Sequence, residues 1–205
     1  MGKFKKMLAV VLAGSVMLGM AGCSKGNKIK ALTKKEYKKI LKNELDIDNG
    51  DIYILDGIGR DRKGKEIEGE LIQARYESCM IFIELYDDAE IAEDYFDGLI
   101  EYAEAFEEDE KRSEAFEHFD GEMVYSKEEN AGYIIVTCDG GPVPGFFGDA
   151  NQNKKDFYGA AYYSDNVVVR IVPEAGIYED GDSKHIIEMI EALGYPTMED
   201  VGDTK

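Results

Sequence analysis

The sequence predicts an α+β fold: a largely antiparallel sheet of about six strands with three helices packed mainly on one face. Three observations carry that expectation. Apolar residues recur at helical spacing in three windows and at strand spacing in the stretches between them. The order is helix, two strands, helix, four strands joined by short turns, helix, which favours hairpin pairing over the strand–helix alternation of parallel sheets. Finally, no long Pro- or Ser-rich linker and no strong repeat divides the body, so residues 32–198 read as a single domain.

Each element has its own signal. Thr33 followed three residues later by Glu36 is a capping box, and Leu32 can meet Tyr37 as a hydrophobic staple. Tyr37, Ile40, Leu41 and Leu45 then form one apolar stripe on a lysine-rich helix that stops near Asp46. Asp48-Asn49-Gly50-Asp51 reads as a turn; counted from Asp46 as a calcium loop, its sixth and twelfth positions are Asp51 and Gly57, where Gly and Glu are needed. Ile52 to Leu55 is a short strand, followed by a Gly- and charge-rich turn from Asp56 to Gly64. Leu71 to Leu85 is the longest strand signal, with Cys79, Ile81, Ile83 and Leu85 on a core face and Tyr76, Ser78, Met80, Phe82 and Glu84 on the other. Asp87 caps a second helix whose expected buried stripe is Ile91, Tyr95, Leu99, Tyr102 and Phe106.

The second half reads as two hairpins and a helix. His118 to Tyr125 and Tyr133 to Cys138 pair through Glu128-Glu129-Asn130; Tyr158 to Tyr163 and Val167 to Val172 pair through Asp165-Asn166, with Pro173 closing the second pair. Asp182 or Ser183 caps the last helix, whose stripe is Ile186, Ile187, Ile190 and Leu193 and whose stop is Gly194 with Pro196 beyond it. Residues 199–205 form a short acidic tail.

The N-terminal stretch has a different character. Lys3, Lys5 and Lys6 precede fifteen uncharged residues, Met7 to Ala21, and Met20-Ala21-Gly22-Cys23 follows. A positive start, an apolar middle and small residues at the end are the layout of a cleaved export signal. The apolar run would rise only roughly 22 Å as a helix, short of a ~30 Å hydrocarbon core. Its ending resembles a bacterial lipoprotein signal, in which small residues precede a cysteine that is acylated and becomes the new N-terminus. Met20 departs from that pattern, where leucine is usual. The resemblance implies removal of residues 1–22, acyl chains on Cys23, and anchoring to membrane lipid on the extracytoplasmic side of the cell membrane, residues 23–31 serving as a lysine-rich tether. The body resembles uncharacterised lipoprotein ectodomains in pattern alone, with no motif to carry residues across.

Charge sharpens the partner question. Loss of the three signal lysines leaves 183 residues with 21 basic and 43 acidic side chains, a formal charge of −22. Such a body does not replace the counterions of nucleic acid, so no nucleic-acid partner is expected. From Ser24 to Lys42 the chain carries eight lysines and one acid, Glu36, so this segment either lies against an anionic membrane surface or forms a solvated helix face.

No chemical signature stands out. The sequence has no Gly-x-Ser-x-Gly elbow and no Gly-Lys-Ser/Thr to turn a glycine-rich loop into a phosphate cradle. Cys79 and Cys138 sit on apolar strand faces and read as buried; in an exported chain they are also a possible disulfide, if their strands approach closely enough. The two histidines, His118 and His185, stand 67 residues apart, so neither a zinc site nor any cofactor is expected. Glu117, Asp120 and Glu122 near His118, and Asp180 with Asp182, are carboxylate groupings unsurprising at this charge. The loop Gly140 to Asp149, with two prolines, four glycines and Phe146-Phe147, has the most unusual composition. Its phenyl rings either present an apolar anchor to a partner or tuck under the sheet edge. The expectation is therefore a lipid-anchored binding domain with an unidentified protein or small-ligand partner; the alternatives are a surface carboxylate-dependent hydrolase and a small-ligand-binding protein.

Overall fold

The computed structural model describes residues 29–60, 65–112, 119–140, 143–147, 156–174 and 182–202. Nine strands are found among them: β1 (Ile52–Asp56), β2 (Gly59–Arg60), β3 (Glu66–Ile67), β4 (Gly69–Tyr76), β5 (Cys79–Tyr86), β6 (Asp120–Glu128), β7 (Ala131–Gly140), β8 (Phe157–Ser164) and β9 (Val167–Pro173). The helices are α1 (Lys34–Asn43), α2 (Ala89–Arg112), α3 (Asp182–Leu193) and α4 (Met198–Gly202). Seven strands form one antiparallel sheet in the order β1-β4-β5-β9-β8-β7-β6, and β2 pairs with β3 alone. The chain leaves the sheet after β5, crosses it as α2, re-enters at the far edge with β6 and returns inward until β9 closes against β5.

The predicted α+β class and antiparallel sheet are found. The strand count differs because Leu71 to Leu85 is a hairpin, turned at Glu77-Ser78, where Tyr76 pairs with Cys79. Glu77 adopts φ 52°, a left-handed conformation that Gly or Asn usually supplies. With neither residue present, the segment carries no turn signal.

Both faces of the sheet are covered, which corrects the expectation of helices mainly on one side. Against one face lie α1 and α3, with Tyr37, Leu41, Ile186, Met189 and Ile190 packed on Ile72, Ile81, Ile83, Tyr162 and Val169. Against the other lies α2, the longest helix, with Ala92, Phe96, Leu99 and Ala103 on Ile134, Val136, Ala161 and Val168. Its buried stripe is thus rotated from the predicted one: Ile91 is 38% and Tyr102 48% exposed, and alanines replace them at the interface. The small side chains let the helix axis approach strands that already carry Tyr163 and Phe157; Phe96 and Tyr163 stack with ring centres 5.4 Å apart.

The ends of the body are better secured than the sequence suggests. The capping box at α1 is formed, Thr33 Oγ1 accepting from Glu36 N–H while Thr33 N–H donates to Glu36 Oε2 at 2.8 Å. Order extends beyond the expected limits of 32 and 198, because Ile29 and Val201 are both buried in the α1–α3 core. Tyrosine hydroxyls hold the C-terminal segment: Tyr37 and Tyr195 share a hydrogen bond of 2.6 Å, Tyr162 donates to the Pro196 carbonyl at 2.6 Å, and Tyr158 accepts from Met198 N–H at 2.7 Å. Gly194, at φ 72°, ends α3 as predicted and turns the chain into this segment.

Candidate functional site

Cys23, His118 and Asp180 lie outside the described residues. The two internal cysteines are described, and they do not form a disulfide. Both are buried thiols, Cys79 on the α1–α3 face and Cys138 on the α2 face. Strands β9 and β8 also stand between β5 and β7, a separation of roughly 14 Å at ordinary strand spacing, where a bridge needs Cα atoms within about 7 Å.

The Phe146-Phe147 loop is docked against the body. Gly145–Phe147 forms a single 3₁₀ turn that drives Phe147 into the α2-side core, 2% exposed, with its ring 6.2 Å from that of Phe157. It lies over Gly159, where an added Cβ would stand 3.0 Å from the ring, so the missing side chain makes room for it. Phe146 is half-buried, edge-on to Tyr102 at 5.6 Å. Phe147 is therefore core and drops out of the partner-anchor reading, while Phe146 remains partly exposed.

Two features not singled out in the sequence emerge on the α2 face. One is a buried charged cluster. Glu84, read above as lying on the non-core face, is 5% exposed and accepts from Arg170 Nη2 at 2.7 Å and from the Tyr86 hydroxyl at 2.9 Å. Arg170 lies over the Phe82 ring at 5.3 Å, and its Nε finds no partner among the described residues. Burial, then the Glu84 charge, push the Tyr86 phenol far above its ordinary range. Burial disfavours the Arg170 cation, but Glu84, with Tyr95 and Tyr86, overcomes it and holds the guanidinium above its usual value. Both Glu84 oxygens are engaged, so the cluster serves as a clamp between β5 and β9.

The other feature is the β1 edge. Strand β1 ends the sheet, paired to β4 alone, and Tyr53, Ile54 and Leu55 are 55%, 37% and 50% exposed. The register sets Tyr53 beside Gln73 and Leu55 beside Leu71, in rows that run on to Phe82 and Glu84. Tyr53 and Leu55 thus share the α2 face, but α2 packs over β5, β9, β8 and β7 and leaves the β1 end of these rows open. Gly57 N–H donates to Gly69 O across the β1–β4 ladder at 2.8 Å. Since antiparallel bonds alternate by two residues, Tyr53 and Leu55 turn their backbone groups to β4, and Ile52, Ile54 and Asp56 turn theirs outward.

A surface depression lies at each end of this edge. One of about 700 Å³ is lined by Leu55, Asp56, Ile58, Glu66, Ile67 and Leu71; the other, about 520 Å³, by Asp46, Asp48, Asp51, Arg75, Tyr76 and Glu77. Of the latter set Arg75 is already paired, its Nε 2.9 Å from Glu174 Oε2. The sequence marks this strand only as four bulky uncharged residues between Asp51 and Asp56; its exposure comes from the edge position. No protein-family model, curated protein sequence or solved structure matches the chain.

Proposed function

We propose that the chain is a lipid-anchored extracytoplasmic protein whose folded body acts by binding a partner rather than by catalysis. The anchor rests on Lys3 to Cys23, and the binding reading on one observation: the uncovered apolar edge at Tyr53, Ile54 and Leu55. Three adjacent bulky residues left exposed beside unpaired backbone groups are a liability unless something covers them.

The start of the body fits a short tether. Ile29 is buried and its carbonyl accepts from Ser164 Oγ at 3.3 Å, beside the turns at Glu129-Asn130 and Asp165-Asn166. Five residues separate it from Cys23, six steps of chain that at full extension span roughly 20 Å. An acylated Cys23 would hold that end of the sheet near the lipid surface and point the acidic start of β1 away from it, toward extracytoplasmic partners.

Two measurements test this reading. The mature protein should begin at Cys23 and carry acyl mass there, and Cys23→Ala should release it into the medium. A photo-crosslinking residue at position 55 should capture a partner on intact cells, whereas one at the exposed Asp165 turn should not. An N-terminus elsewhere, or equal labelling from both positions, would overturn it.

A further inference from the structure

We propose that β1 accepts an extended segment of a partner protein as an additional antiparallel strand, apolar at the alternate positions beside Tyr53 and Leu55 and basic at the end that lies against Asp48 and Asp51. This deepens the binding reading above and rests on it. The outward amides and carbonyls of Ile52, Ile54 and Asp56 are the hydrogen-bonding groups that an incoming strand would use. The open α2-face rows supply an apolar strip for its side chains. Polarity comes from charge: exposed Asp46, Asp48, Asp51 and Glu77 gather at the start of β1, where an antiparallel segment ends.

A second copy of this chain fits less well. Antiparallel self-pairing centred on Ile54 sets Asp51 of one copy opposite Gly57 of the other, next to its Asp56, and it does so at both ends. It also joins two bodies that each carry a large excess of acid. A strand ending in lysine or arginine turns the same acids into a favourable contact.

Two synthetic peptides of alternating valine and threonine, one ending in two lysines and the other in two glutamates, test the proposal against the full-length chain at low salt. The lysine peptide should slow amide exchange at residues 52–56 and bind about tenfold more tightly than the glutamate peptide, as expected for two surface ion pairs. Ile54→Pro removes an outward N–H without touching the β4 ladder, and it should abolish binding while the far-ultraviolet circular dichroism is retained. The charge-reversed pair Asp48→Lys and Asp51→Lys leaves the β1 backbone untouched and should invert the peptide preference. Absence of protection at 52–56, an unchanged preference after charge reversal, or binding by a folded Ile54→Pro would each overturn strand addition. Protection that grows with protein concentration in the absence of peptide, with sedimentation as a dimer, would make a second copy the occupant and overturn it as well. If position 55 still captures a partner on cells while the peptides fail, the binding reading survives and strand addition alone is lost.

Discussion

The two edges of the seven-stranded sheet meet the same hazard in opposite ways. At β6 the edge is interrupted by a bulge between Asp120 and Gly121, carries Glu122, Lys127 and Glu128, and is half-buried from Met123 to Lys127. Lys127 reaches up to α2, 2.9 Å from Glu93 and paired also with Asp97, while the Tyr125 hydroxyl donates to Glu107. These are devices that natural sheets use against unwanted pairing. At β1 the register is regular, no charge interrupts Ile52 to Leu55, and Tyr53, Ile54 and Leu55 stay exposed among the described residues. An edge protected on one side of a sheet and bare on the other is better explained by use than by neglect.

The largest effect should come from alkali, and it asks whether both edges belong to one cooperative unit. Tyr158 is pushed up to about 12 by burial, and burial likewise holds Tyr162 and Tyr195 well above the ordinary phenol range. The folded state therefore favours neutral phenols that the unfolded chain ionises near pH ~10. These tyrosines add no pH dependence below that point. Above it, stability should fall by about 1.4 kcal/mol per pH unit for each such tyrosine, continuing through about pH 12 for Tyr158. Circular dichroism with tyrosinate absorbance should show one transition, and amide protection at β1 and β6 should vanish together. Loss of β6 protection at a distinctly lower pH would show that the edges open independently.

Phe106→Ala should break the contrast next. Phe106 is 6% exposed near the C-terminal end of α2, edge-on to Phe119 at 5.5 Å just before β6 begins. Truncation should cost about 3 kcal/mol by chemical denaturation and speed exchange in β6 more than in β1, giving the protected edge some of the exposure of the bare one. Equal acceleration at both edges would mean that α2 guards neither in particular.

What could be read in advance follows the range of the signal. The Thr33–Glu36 cap, the α3 stop at Gly194 and the turn at Asp165-Asn166 depend on neighbours within a few residues, and each is where its residues place it. Side-chain alternation likewise placed Cys79, Ile81 and Ile83 together in the core. It does not say which face of the sheet another strand's alternation joins, and so Cys79 and Cys138 could be mistaken for partners. The α2 stripe slipped because bulky residues were favoured, whereas the tight interface selects Ala92 and Ala103. The openness of β1 is wholly non-local: the same Ile-Tyr-Ile-Leu placed between two strands would be core. The candidate site was thus legible as a strand and illegible as a surface.

The smallest effect on stability should come from Leu55→Lys, and it bears most directly on the comparison. Leu55 is 50% exposed on an edge strand whose register sets it beside Leu71, so the substitution should change unfolding free energy by no more than about 0.5 kcal/mol. It places on β1 the kind of charge that Lys127 already supplies on β6, pointing from an outer strand into the α2 side of the sheet. If the bare edge is kept for a partner, this near-neutral change should lower crosslinking capture on cells while leaving melting and surface anchoring intact. If the edge has no partner, the same lysine should act only on solubility, reducing light scattering of the concentrated protein with no change in capture. A loss of several kcal/mol would instead mean that Leu55 is packed in solution and that β1 is covered by the body itself.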